Sequence, residues 1–222
     1  MASKREIVGR LVALLTVALL AIAATGCGSD SGSDSGAGGG SGGSGELEGL
    51  VRSPSLEVGA TTMPQVAEDG TETPFTFKAP EGGLLFVAFG YTNCPDVCPT
   101  TLSDIRKAKE ALGDRGDDIE VAFATIDPER DTPEVVNAYL GSFVKTGGHP
   151  LRTTDAAQLL EVQDAFQISS KVEKQADGTV EVAHTARSFV VDETGRVVVE
   201  WTFGTSSDAM AADLELLLDQ QT

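Results

Sequence analysis

Six consecutive apolar residues, Leu84-Leu85-Phe86-Val87-Ala88-Phe89, run straight into Gly90-Tyr91-Thr92-Asn93-Cys94-Pro95-Asp96-Val97-Cys98-Pro99-Thr100-Thr101. The apolar run reads as a buried central strand, and the residues after Thr100 read as a helix. The chain therefore carries two cysteines, spaced C-x-x-x-C, on a strand-to-helix turn. Ligands gather at such turns because strand ends open onto them. The helix N–H groups there also favour a thiolate.

The prolines narrow the geometry. A residue before proline is pushed out of the helical region, so Cys94 and Cys98 are expected to be extended or turn-like. Pro99 suits the first helical position, with Cys98 as the N-cap. A turn of this length brings two α-carbons within the roughly 4.4–6.8 Å that a disulfide spans. It can equally aim both sulfurs at one soft metal ion, and a buried structural pair is the plainer alternative.

Around this turn the chain alternates strands and helices. Phe75-Thr76-Phe77 reads as a short strand. A helix over Thr100–Leu112 follows the cysteines, with Leu102, Ile105, Ala108 and Leu112 on one face and Gly113 at its end. Ile119–Ile126 is a second buried strand, closed by Asp127-Pro128-Glu129-Arg130-Asp131-Thr132-Pro133. Thr132 and Pro133 make an N-cap and first position for a helix to Phe143. Residues 145–154 read as a connection carrying His149 and Pro150. A helix over Asp155–Phe166 comes next, then strands Ile168–Lys174 and Thr179–Ala183 around Asp177-Gly178. Ser188–Val191 and Arg196–Phe203 form a hairpin, and Ser206–Leu218 is a closing helix. This order is similar to that of a thioredoxin-like α/β sheet flanked by helices.

The N-terminal part is of another kind. Lys4, Arg5 and Arg10 precede an apolar run, Leu11–Ala24, of signal-peptide length and short for a membrane span. It ends Ala24-Thr25-Gly26-Cys27, similar to a bacterial lipobox in which Cys27 is lipidated. Residues 28–45 are Gly, Ser, Asp and a single Ala, a composition that buries nothing and reads as a flexible tether. Residues 46–71 are expected to be irregular with a short strand. The division is thus a signal peptide with lipobox over 1–27, a linker and irregular segment over 28–72, and the folded domain over 73–222.

Charge and residue counts exclude several functions. A formal net charge of −18 over 222 residues leaves no clustered Lys and Arg to neutralise phosphates, so nucleic acid is not a partner. With Cys27 assigned to lipid, the remaining ligand candidates are Cys94, Cys98, His149 and His184. A four-cysteine zinc site is impossible. His149, beside Pro150, reads as a loop residue. Asp127, at a strand end, either caps its own turn or faces the cysteines, and Asp96 sits between them.

The segment Phe89–Leu102, the Asp127–Pro133 segment and His184 together resemble the Sco/SenC proteins of cytochrome oxidase assembly, over about residues 73–203. The resemblance implies one copper ion, Cu(I) or Cu(II), held by Cys94, Cys98 and His184. Two thiolates suit Cu(I), and an added imidazole lets the site hold Cu(II). It further implies a chaperone tethered by lipid to the outer face of the bacterial plasma membrane. Its partners would be a copper donor protein and cytochrome c oxidase subunit II, whose binuclear copper centre it would help to assemble. The alternative is a thiol–disulfide oxidoreductase that uses Cys94 and Cys98 as a redox pair on the cysteines of that centre. One departure concerns the histidine: the family's Asp-His-Ser is Ala183-His184-Thr185 here. That removes an acidic neighbour that would orient the ring.

Overall fold

The structure is a computed structural model and describes residues 46–221. The expected signal peptide, Cys27 and the Gly/Ser tether lie outside the described residues.

The chain forms β1 (Thr62–Val66), β2 (Glu72–Thr76), β3 (Leu84–Gly90), α1 (Val97–Ala111), β4 (Ile119–Thr125), α2 (Pro133–Phe143) and β5 (Gly148–Leu151). Then come α3 (Ala156–Ala165), β6 (Ser170–Lys174), β7 (Val180–His184), β8 (Arg187–Val191), β9 (Val197–Thr202) and α4 (Ser207–Asp219). Seven strands make one sheet in the order β2-β1-β5-β4-β3-β8-β9, while β6 and β7 pair only with each other. The strands β3, β4 and β5 run parallel, and β8 and β1 flank them antiparallel.

The unbroken apolar run of β3 follows from its central place. Leu84, Phe86 and Ala88 face one core, shared with Leu102 and Ile105 of α1, Leu140 of α2 and Leu214 of α4. Leu85, Val87 and Phe89 face the other, closed by Val162 of α3 with Phe166 and Phe189. A strand covered on both faces has no solvent side to mark with polar residues. Its C-terminal end, Gly90, pairs in register with Thr125 at the end of β4. The cysteine turn and the Asp127–Pro133 segment therefore leave the sheet side by side.

Two expectations about the sheet need correction. The segment 145–154 contains β5, which joins β4 to β1. It is four residues long and holds Pro150, so neither periodicity nor β propensity marks it. His149 is fixed there, with Nε2 3.0 Å from Glu120 Oε2 and Nδ1 3.0 Å from Gln65 Oε1. The second correction is the domain start. The short strand expected within 46–71 is β1, which belongs to the main sheet, so the fold begins well before Thr73. Still earlier, Leu50 bridges to Glu200 on β9. The carboxylate of the fully buried Asp213 accepts from the N–H groups of Glu48 and Gly49 and from Trp201 Nε1. This segment covers the β9 edge, which would otherwise offer unpaired backbone groups to another chain.

Candidate metal centre

The turn after β3 is tight because Gly90 has no side chain. A Cβ at that position would lie 2.6 Å from Cys98 Sγ and 3.1 Å from the Phe123 ring. Tyr91 then turns the chain, its carbonyl accepting from the Cys94 N–H at 3.1 Å. Helix α1 starts earlier than expected. Asp96 is the N-cap and Cys98 lies inside the first turn, with Pro99 after it. Asp96 makes no side-chain capping bond. The Cys98 N–H instead donates to Cys94 Sγ at 3.3 Å. A sulfur thus serves one of the helix's free N–H groups, which the proline rules could not show. Pro99 still costs no hydrogen bond, because first-turn N–H groups have no partner within the helix.

Cys94 and Cys98 are buried, and both are free thiols. His184 reaches them from the end of β7, far along the sequence. One ligand atom from each of Cys94, Cys98 and His184 lies within 4.8 Å of the others, the one such cluster of His, Cys, Asp and Glu among the described residues. His184 Nδ1 lies 3.1 Å from the Thr185 carbonyl oxygen. A carbonyl can only accept, so Nδ1 carries a proton, and in the neutral ring the lone pair then lies on Nε2. The backbone of Thr185 thereby does the orienting that the missing acidic neighbour would have done.

Burial pushes the Cys98 thiol up, and its hydrogen bond with Cys94 adds to the effect; backbone N–H groups of Tyr91 and Cys98 pull the other way without offsetting it. Cys98 without a metal is accordingly a thiol, and a cation entering the site must displace its proton. Two sulfurs and one imidazole around a small space are a donor set for a soft, thiophilic ion, and copper fits it.

The Asp127–Pro133 segment supports the turn from the side. Asp131 is fully buried. Its carboxylate accepts from the Thr92 N–H at 3.1 and 3.2 Å, from Thr92 Oγ1 at 2.6 Å and from Thr125 Oγ1 at 2.5 Å. It ties the cysteine turn to the end of β4. Asp127, also buried, pairs with Arg130 and accepts the Arg130 and Asp131 N–H groups at its carbonyl. Asp127 thus makes the turn of its own segment, with its side chain on Arg130 and not on the cysteines. Asp96 is exposed. His149 lies in β5, apart from the cluster. Sequence reasoning missed Asp131, and no local signal pointed to it. An aspartate before Thr-Pro reads as part of a helix start, and its partners lie 6 and 39 residues upstream.

Fold and site together define a thioredoxin-like domain with a two-thiol, one-imidazole centre at the end of its central strand. The chain belongs to the SCO1/SenC family, whose model matches residues 60–219. An SCO2-like protein of Rickettsia prowazekii is 35% identical over 120 residues, which are 52% of this chain and 56% of that protein. One from Rickettsia typhi is 34% identical over 122 residues, 53% of this chain and 58% of that one. The chain thus spans little more than half the length of these relatives. The copper-bound structure of Bradyrhizobium japonicum ScoI is 32% identical, with a TM-score of 0.58, covering 69% of this chain and 96% of that one. Apo Sco1 from Thermus thermophilus is 28% identical, with a TM-score of 0.63, covering 78% of this chain and 96% of that one.

Proposed function

We propose that the protein binds one copper ion through Cys94, Cys98 and His184 and delivers it during assembly of the binuclear copper centre of cytochrome c oxidase subunit II. The observation that carries this reading is the convergence of the three donor atoms within 4.8 Å, with His184 as the third. Thiol exchange needs only the two sulfurs, whereas copper uses the third ligand. The match to a copper-bound ScoI supports the same ion. In this reading Cys27 carries lipid and holds the domain at the outer face of the plasma membrane, and a separate protein supplies the copper.

Reduction of the target's cysteines is the second reading, favoured by two free thiols at close range. It is the weaker one. Exchange accounts for the two sulfurs and leaves the converging imidazole without a ligand role. The test is a strain lacking the protein, complemented with His184→Ala or Cys27→Ala. Delivery requires that His184→Ala fail to restore oxidase activity at ordinary copper and recover when copper is added. Full activity at low copper would promote the reductase. Cys27→Ala should leave a folded domain that no longer sediments with membranes, and unchanged sedimentation would remove the lipid anchor from the proposal.

A further inference from the structure

The three ligand atoms are not held alike. Cys94 stands on the turn between β3 and α1 and Cys98 in the first turn of α1, both in the packed body of the protein. His184 ends β7, which pairs only with β6. The hairpin's side chains are mostly exposed. Its attachments are few: Val182 packs against the second core, and Gln163 Nε2 donates to Ser170 Oγ at 2.8 Å. The His184 ring meets Tyr91 edge-to-face, with centroids 6.2 Å apart and planes at 88°. Tyr91 in turn lies under the Arg130 guanidinium, whose carbon is 5.6 Å from the ring centroid. Arg130 is fixed by buried Asp127.

We propose that Tyr91 is a positioning residue that docks the His184 imidazole beside Cys94 and Cys98, and that the Asp127–Arg130 pair holds Tyr91 in place to do so. The inference rests on the three-ligand copper reading. It gives the Asp127-Pro128-Glu129-Arg130 turn a task at the metal centre. Edge-to-face aromatic pairs and cation–π contacts are each modest, but they are directional. Tyr91 is three residues from Cys94, so it transfers the position of the cysteine turn to a ring carried by a separate hairpin. Docking of this kind matters most to an ion that needs the imidazole. Cu(II) should feel its loss, and Cu(I), satisfied largely by two thiolates, should not.

The test uses Tyr91→Leu, Tyr91→Phe and Arg130→Met. Copper titration follows Cu(II) by its absorption and Cu(I) by chelator competition, and the His184 ring resonances are read in the metal-free protein. Tyr91→Leu should weaken Cu(II) binding about tenfold, the scale of one lost aromatic pair, and should abolish the ring-current shift of His184. Tyr91→Phe, which keeps the ring, should stay within about twofold of the unaltered protein, and Arg130→Met should lose about threefold. Cu(I) affinity should hold within about twofold throughout. Equal losses in Tyr91→Phe and Tyr91→Leu, or unaltered His184 shifts in Tyr91→Leu, would overturn the proposal. Should Tyr91→Leu not fold, Arg130→Met decides alone: unaltered Cu(II) affinity together with unaltered His184 shifts overturns it. Absence of copper binding by the unaltered protein would refute the copper reading, and the metal-free resonances would still decide the docking.

Discussion

Cys98→Ser is expected to abolish tight Cu(I) binding. The hydroxyl is a hard, weakly acidic donor, and the site offers Cu(I) two thiolates as its main ligands. The loss should exceed the roughly 10–100-fold that follows from disturbing groups behind a ligand. Cys94→Ser should match it, because each sulfur supplies half of the thiolate pair. The fold should survive both changes. Each cysteine is one small side chain at the end of a core built from β3, β4, α1 and α4. Cu(I) competition with a chelator, read beside a thermal melt, gives both quantities on one sample. Unchanged affinity in both variants would separate copper from this turn.

Asp131→Ala is expected to cost about 3 kcal/mol of stability while leaving the ligands intact. Its carboxylate has no cationic partner among the described residues and is held by one N–H and two hydroxyl groups. Removing it strands the part-buried Thr92 N–H, whose direction the backbone fixes, while the two hydroxyls can rotate. Asp131→Asn keeps one acceptor oxygen and should cost about half as much. Because Thr92 leads directly to Cys94, the loosened turn should also weaken copper binding, through less well placed sulfurs. Urea unfolding with and without copper measures both effects. A stability loss below about 1 kcal/mol would show that the carboxylate is not the tie between the two segments.

Much of this architecture is legible in the sequence because the elements that carry it are strongly patterned. The buried run of β3 has no alternation to obscure it, that of β4 alternates only at its start, and Thr132-Pro133 fixes the start of α2 to the residue. What escaped reading depends on pairing across the chain. The strand β5 is recognisable only through its neighbours β4 and β1, and β1 itself lies in a stretch with no helical or strand periodicity. At the site, the two cysteines declare themselves by spacing, whereas His184 enters through resemblance alone. Its approach depends on a hairpin outside the main sheet. The local proline rules misplaced the start of α1 because they count backbone preferences only. A sulfur accepting the Cys98 N–H is a tertiary fact about the turn, and it outweighs the preference of a residue before proline for extended backbone.

The most direct test of the copper centre is X-ray absorption on the purified domain loaded with copper, with metal and free thiols counted on the same sample. The expected result is one copper per chain with two sulfur donors and one imidazole nitrogen. His184→Ala should lose the imidazole signature and keep both sulfurs. A copper ion with the same ligand set in His184→Ala, or a domain with both thiols free that takes up no copper, would contradict a centre built from Cys94, Cys98 and His184.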